Sequence, residues 1–447
     1  MPLQQELLEL LRCPITGETL ALSSHTLVSK ESGKNYPLID GIPWLLANPQ
    51  NSLLDWSAKL NHFHQVIAEE INELEHALDR VSGKTHQRLE QLLIAKRSFL
   101  HTVFDLMSPV VRSPMAGKAS YDALRDRAPS TQNLLSYEAN LYRDWVWGDK
   151  ENQLSQQIVE ANFTRDFAGK LIVLGAGAGR LAWDLHQAIK PELTIASDIN
   201  PLLVLAAHRI VADEGLSIYE FPSQPRNIES TAVYHNIRGE NASDNFYFMF
   251  SNALEPAFKR ACFNAVVTPW LIDIQPFELS RFIQQLNHYV PLGGQWINFG
   301  SLVFNQSRDA FCYSIEEVQD IALAKGFEIS TVQEHQIPYL QSPHNAGYRM
   351  EHIWSWSATK VADVAPLTDT QVLPSWLLDT QQPVPKSAYV QQFALTHRTY
   401  AQLAAEVDGR TSLNKIANKL AGQQQINPEE ALSLVTQLFV DLYEQNH

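Results

Sequence analysis

The stretch 171–198 limits what this chain can fold into more than any other. It reads Leu171-Ile172-Val173-Leu174, then Gly175-Ala176-Gly177-Ala178-Gly179-Arg180, and closes on Leu193-Thr194-Ile195-Ala196-Ser197-Asp198. A continuous apolar run predicts a strand buried on both faces. Alternate glycines predict a tight turn, because glycine takes φ > 0 and offers no Cβ to an approaching ligand. The amphipathic run from Arg180 predicts a helix whose first N–H groups stay unpaired and face an anionic group. The second strand ends on a carboxylate, which can accept both hydroxyls of a ribose. Together these predict the first half of a doubly wound, Rossmann-like α/β sheet.

Spacing separates the ligand classes. A dinucleotide fingerprint G-x-G-x-x-G places its third glycine at position 180, where this chain has Arg180. The pattern G-x-G-x-G instead resembles the S-adenosylmethionine loop of class I methyltransferases. That resemblance makes Gly175, Gly177, Gly179 and Arg180 the cofactor loop and Asp198 the ribose acid. The alternative is a glycine turn in some other α/β protein.

A chain of 447 residues has room for two to four domains. A net charge of −15 argues against a broad phosphate-binding surface, so nucleic acid is not expected as a partner. A small molecule, a peptide or a protein fits better. Cys13, Cys262 and Cys312 lie far apart, which argues against a disulfide framework and for a reducing compartment. No apolar run reaches transmembrane length, and the first residues lack the layout of a signal peptide. A cytoplasmic protein without a membrane partner is expected.

Residues 1–50 form a small module of their own. Leu3, Leu7, Leu8, Leu10 and Leu11 have helical spacing, Cys13-Pro14-Ile15-Thr16-Gly17 is a turn, and a hairpin-like region runs to Tyr36-Pro37-Leu38-Ile39-Asp40-Gly41-Ile42-Pro43. The segment resembles the small zinc-ribbon activator subunits that partner methyltransferases. A zinc knuckle needs C-x-x-C, but Thr16 stands at the second position and no later cysteine pair follows. The module is therefore expected to be metal-free, with Cys13 a small buried residue, and no metal site is expected. Residues 51–135 read as helical, with Ile67, Ile71, Leu74 and Leu78 on one stripe. No chemistry is visible there.

The region 136–360 carries the chemistry. Arg143-Asp144-Trp145 lies upstream of the glycine loop, and Arg143 is a candidate partner for the cofactor's carboxylate or, equally, for Asp144 or Asp149. Asn252 follows the strand 246–250 and is a candidate for the base, or a turn cap. Val266-Val267-Thr268-Pro269-Trp270-Leu271-Ile272-Asp273 runs off the next strand, where ligands meet a doubly wound sheet. These motifs, with Leu292-Gly293-Gly294-Gln295-Trp296-Ile297-Asn298-Phe299, resemble the carnosine N-methyltransferase family over about residues 137–357. The resemblance implies that Asp273 contacts the substrate; it is the candidate for a base or for substrate anchoring, the alternative being a helix N-terminal cap. Asn305 stands where the family has a histidine, and an amide cannot shuttle protons, so carnosine is not expected as the substrate. Tyr348, at the start of the last strand, joins Asp273 and Asn305 as a candidate substrate residue.

A linker, 361–386, rich in Pro, Thr and Asp, leads to a small C-terminal domain, 387–447, with weak resemblance to the winged PqqD-like type that binds peptides. It is expected to bind a protein partner or to self-associate. The whole reads as an α/β S-adenosylmethionine-dependent methyltransferase that N-methylates a small molecule or peptide. It combines a class I sheet with a metal-free zinc-ribbon-like module, a helical insert and a helical or winged C-terminal domain. The alternative is an inactive member of the fold whose end domains recruit a partner.

Overall fold

Helix α1 (Gln5–Leu10) opens the chain and is followed by β1 (Ala21–Ser23), β2 (Thr26–Val28), β3 (Asn35–Ile39) and β4 (Ile42–Leu45). Asp40 and Gly41, both at positive φ, make the two-residue turn between β3 and β4. The computed structural model describes residues 4–113, 133–240, 243–275, 278–304, 309–367, 402–403, 405–406 and 411–446. These divide into two compact units, Met1–Val372 and Leu373–His447.

After β4 the chain forms a helical hairpin, α2 (Pro49–Leu78) and α3 (Gly83–Val111). Pro49 starts α2 where its missing N–H costs nothing. Leu53, Trp56, Leu60, Phe63 and Ile67 recur at helical spacing and bury one stripe against Phe99 and Val103 of α3. Then come α4 (Glu138–Tyr142), a π-helical turn (Arg143–Trp147), α5 (Asp149–Glu160), β5 (Lys170–Leu174), α6 (Arg180–Ile189), β6 (Leu193–Asp198) and α7 (Pro201–Val211). A two-stranded hairpin, β7 (Leu216–Glu220) with β8 (Val233–Ile237), stands apart from the main sheet. The unit ends with β9 (Phe246–Ser251), β10 (Ala265–Pro269), α8 (Leu279–Leu286), β11 (Gln295–Gly300), α9 (Ile315–Ala324), β12 (Phe327–Ile329), β13 (Gln333–Tyr339) and β14 (Arg349–Lys360).

The main sheet runs β1-β2-β3-β4-β9-β6-β5-β10-β11-β14-β12, with β13 paired to β14. From β4 to β11 every pairing is parallel, and β14 enters antiparallel. Successive strands step from β5 to β6 on one side and to β10 on the other, so strand order reverses beside β5. In an open α/β sheet the carboxyl ends at such a reversal form the ligand crevice. This is a Rossmann-like, doubly wound α/β architecture, and it places the glycine loop after β5 at the crevice floor.

The N-terminal strands do not form a separate sheet. Strand β4 pairs parallel with β9, with Trp44 opposite Phe250 and Leu45 opposite Ser251. Trp44 is fully buried and its ring lies 4.8 Å from that of Phe250. In the second unit, helices Leu413–Gln424 and Pro428–Asn446 pack through Ile416, Leu420 and Val435, with Leu403 beside them. Among the described residues of that unit there is no strand. No helix among the described residues is long and apolar enough to cross a membrane.

Candidate cofactor and substrate cleft

A cleft of about 540 Å³ opens over the carboxyl ends of β5, β6, β9 and β10. The glycine loop forms its floor. Gly175, Gly177 and Gly179 have φ of 67°, 58° and 78°, which only glycine adopts without strain. Their surroundings differ. A Cβ on Gly175 would lie 2.7 Å from Leu271, and one on Gly179 would lie 2.8 Å from Phe248, so both are small because protein packs on them. A Cβ on Gly177 would meet nothing within 4 Å. Gly177 therefore presents bare backbone to the open cleft, as a site for a closely approaching ligand requires.

Asp198 lies beside it at the tip of β6. Its Oδ2 accepts the Gly177 N–H at 2.8 Å and its Oδ1 accepts the Asn200 N–H at 2.8 Å. The carboxylate thus braces the loop while it lines the cleft. Burial pushes its pKa above the ordinary carboxylate value, against the pull of the Asn200, Gly177 and Ile199 N–H groups. Asn252 also lines the cleft, and its Oδ1 accepts the Leu254 N–H at 3.1 Å, so it caps the turn after β9.

The two arginines divide their work. Arg143 lines the cleft from the π-helical turn, a form of helix that often marks functional sites. Its Nε and Nη2 both donate to Asp144 Oδ1, at 2.8 and 2.6 Å, and its guanidinium lies 5.8 Å from the Tyr339 ring centre. Burial raises the Asp144 pKa against the opposing pull of Arg143. Arg180 is not among the lining residues. Its Nε donates to Asp184 at 2.7 Å, its Nη1 donates to the Asp144 carbonyl at 2.9 Å, and its guanidinium lies 5.3 Å from the Trp145 ring centre. It clamps the glycine loop's helix to the turn that carries Arg143.

Asp273 sits in a 3₁₀ turn (Ile272–Ile274) after β10, buried beneath lining residues Leu271, Ile274 and Gln275. Its Oδ2 accepts a short hydrogen bond from the Ser301 hydroxyl and the Val303 N–H at 3.2 Å. Burial pushes its carboxyl up against the pull of Ser301 and Val303. Asp273 so ties the segment after β11 to the segment after β10. Asn305 lies outside the described residues. Tyr348 is 55% exposed and is not a lining residue.

Two aromatic lining residues, Tyr137 and Tyr339, carry no signal in the sequence, and a third, Trp270, stands there only within the motif that runs off β10. Trp270 and Tyr339 have ring centres 4.9 Å apart. Tyr137 and Trp270 hold φ of 64° and 50°, a left-handed conformation that is strained for an aromatic residue and characteristic of ligand sites. Tyr339 lies on β13, a strand that contains Pro338, and proline there is compatible only with an edge. That proline hid the strand in the sequence.

The opposite wall comes from the N-terminal module and α2. Pro14, Ile15, Lys34, Asn48, Asp55 and Trp56 all face the cleft. Behind them, Cys13 Sγ lies 3.2 Å from the Tyr36 hydroxyl and 3.5 Å from that of Ser32. Burial pushes the thiol up, but hydroxyls from Ser29, Ser32, Thr16 and Tyr36 outweigh it and bring it to about 7. Hydroxyl groups thus surround the place where a knuckle would need cysteines.

No family model matches the chain. Its N-terminal part is 48% identical over 50 residues to a UPF0434 protein of Bartonella henselae, covering 11% of this chain and 77% of that relative. A UPF0434 protein of Maricaulis maris is 44% identical over 52 residues, 82% of its length. Through its N-terminal module, the chain belongs to the UPF0434 family. Solved structures similar in fold to part of this chain include S-adenosylmethionine-dependent methyltransferases. One is a possible histamine N-methyltransferase of Thermotoga maritima, 14% identical, covering 51% of this chain and 98% of that one at TM-score 0.33. Another is the Haemonchus contortus phosphoethanolamine N-methyltransferase 2, 11% identical, covering 52% and 60% at TM-score 0.34. A third comes from a complex containing the Trm112 methyltransferase activator of Haloferax volcanii, 10% identical, covering 51% and 97% at TM-score 0.35.

Proposed function

We propose that the protein is an S-adenosylmethionine-dependent N-methyltransferase acting on a small molecule or peptide, with its UPF0434 module fused in place as one wall of the active cleft. The observation that carries this reading is Gly177: bare backbone at positive φ, open to the cleft, braced by a carboxylate at the tip of the next strand. The cleft volume of about 540 Å³ is within the range of small-ligand sites. The Gly175–Gly177 backbone would hold the methionyl end, Asp198 the ribose hydroxyls and Asn252 the base. When bound, S-adenosylmethionine supplies an electrophilic methyl group.

The chain's own residues supply position and desolvation. Tyr137, Trp270 and Tyr339 narrow the cleft beside the glycine loop and exclude water. Their ring faces favour a cationic or N–H-bearing substrate, and Asp55 and Glu255 add negative charge to the lining. Asp273 acts in this reading by positioning the Ser301–Val303 segment. Arg143, neutralised by Asp144, orients the turn against Tyr339. The helical second unit serves to bind a partner or a second copy.

Titration calorimetry with S-adenosylmethionine, followed by an isotopic methyl-transfer screen over amines and peptides, tests the reading. Stoichiometric binding with label appearing on nitrogen supports it. Binding of a dinucleotide instead, or binding with no transfer to any acceptor, would overturn it.

A further inference from the structure

The hairpin β7–β8 and the loop after β13 bring together three side chains that the cleft does not use. Glu220 ends β7 and His235 lies on β8. The register sets Ile218 opposite His235, so Glu220, two residues beyond Ile218, shares a face with His235. His344 arrives from a loop more than a hundred residues later. Backbone pairing holds that loop on the hairpin's outgoing chain: the Arg226 N–H donates to the His344 carbonyl at 3.0 Å and the Ala346 N–H to the Gln224 carbonyl at 2.8 Å.

One oxygen of Glu220 and one ring nitrogen from each histidine lie within 4.8 Å of one another. Glu220 and His235 are buried, and His344 is half-buried. His235 Nε2 is 2.7 Å from Glu220 Oε2. Outer partners already orient the carboxylate: Trp147 Nε1 donates to Oε2 at 3.2 Å and the Ser342 hydroxyl to Oε1 at 3.2 Å. Such outer hydrogen bonds are what ligating carboxylates carry.

Two imidazoles and a carboxylate form the donor set of a three-ligand zinc site that keeps one open position. Ligand atoms around a tetrahedral zinc lie about 3.3 Å apart, given metal–ligand bonds of about 2.0 Å. Binding would replace the 2.7 Å His235–Glu220 hydrogen bond with two metal bonds and draw the half-buried His344 ring toward them. We propose that Glu220, His235 and His344 bind one zinc-class divalent ion, which fastens the loop 340–346 to the hairpin and steadies Tyr339 in the cleft wall. The link to the cleft is short. The Leu340 and Gln341 N–H groups, directly after Tyr339, donate to the Glu151 carboxylate at 3.1 and 2.6 Å, so this loop is anchored at its start and would gain a second anchor at His344. The proposal does not depend on what the cleft binds.

The test uses the full chain stripped by a chelator and titrated with zinc against a chromogenic competitor. Cobalt(II) serves as a spectroscopic probe, and thermal melts are recorded with and without zinc. One ion per chain is expected, with visible cobalt bands and a higher melting temperature on zinc addition. His344→Ala, on the solvent side, should fold and should weaken zinc binding by at least about tenfold, as should Glu220→Gln. Cys13→Ser should leave the affinity unchanged. Absence of stoichiometric binding, or binding that His344→Ala leaves intact, would overturn the proposal and leave Glu220 and His235 a buried hydrogen-bonded pair.

Discussion

Gly177 and Asp198 work as one device, and two substitutions separate its parts. Gly177→Ala places a Cβ in open space, so the folded state loses only the backbone strain of a positive φ, about 1 kcal/mol. Affinity for S-adenosylmethionine should fall much further, because the methyl group stands where the ligand approaches. Melting temperature and calorimetry, measured on the same sample, separate the two effects. An equal loss in both would make Gly177 a structural glycine only. Asp198→Ala should weaken binding by about 1.5–3 kcal/mol, the range for losing a charged hydrogen-bond partner. Asp198 also gives a pH signature. Its folded-state pKa is raised, so its contribution to stability is fully present below the unfolded carboxylate pKa and is lost as pH rises through the folded value. Ribose binding needs the ionised form, so affinity should drop as pH falls through that raised pKa. A flat affinity profile across the acidic range would remove Asp198 from the ribose site.

At the scale of elements, the seam between β4 and β9 decides whether the UPF0434 module acts on the cleft. Two parallel-paired positions and the buried Trp44 ring hold it. Trp44→Ala should cost about 3–5 kcal/mol, the range for emptying a large aromatic site. Because Ile15, Lys34 and Asn48 face the cleft, the variant should also bind S-adenosylmethionine more weakly. Urea unfolding monitored at two wavelengths, with calorimetry below the transition, checks both. Full affinity in a destabilised Trp44→Ala protein would reduce the module to a scaffold. The segment after β10 offers a second test. Asp273→Asn should preserve cofactor binding and lower turnover, because an amide still accepts the Ser301 and Val303 hydrogen bonds but holds them less strongly. If Asp273 positions rather than abstracts a proton, the loss should show the same pH dependence as the wild type. Disappearance of an acidic limb from the pH–rate profile would instead make it a base.

At the scale of the molecule, the glycine loop, the acid, the aromatic wall and the UPF0434 module all belong to the unit Met1–Val372. A chain ending at Val372 should therefore bind S-adenosylmethionine as the full chain does. Sedimentation of both forms reads the second unit's role, since any self-association should vanish on truncation. Loss of cofactor binding in the shortened chain would show that the second unit completes the site.

Sequence by itself was enough for the parts whose physics is local. An apolar run, alternate glycines and a terminal carboxylate each act within a few residues, so β5, the loop and Asp198 were legible. The small N-terminal module, which the UPF0434 relatives match, was legible for the same reason, since its turns and hydrophobic spacing are short-range. Only the tertiary structure decided how remote segments meet. The sequence shows Tyr137, Tyr339 and Lys34 as ordinary residues of three unrelated stretches, and strand register and helix packing bring them to one cleft. The connection between β7 and β8 is long and carries two prolines, so no local pattern marks the hairpin, and the contact of Glu220 with His235 is hidden in the sequence. The sequence marks both Arg143, which lines the cleft, and Asp273, which lies buried beneath its lining, but whether a carboxylate faces a ligand or a serine depends on which chain folds over it. That is fixed by packing between segments far apart in the sequence, which no local pattern encodes.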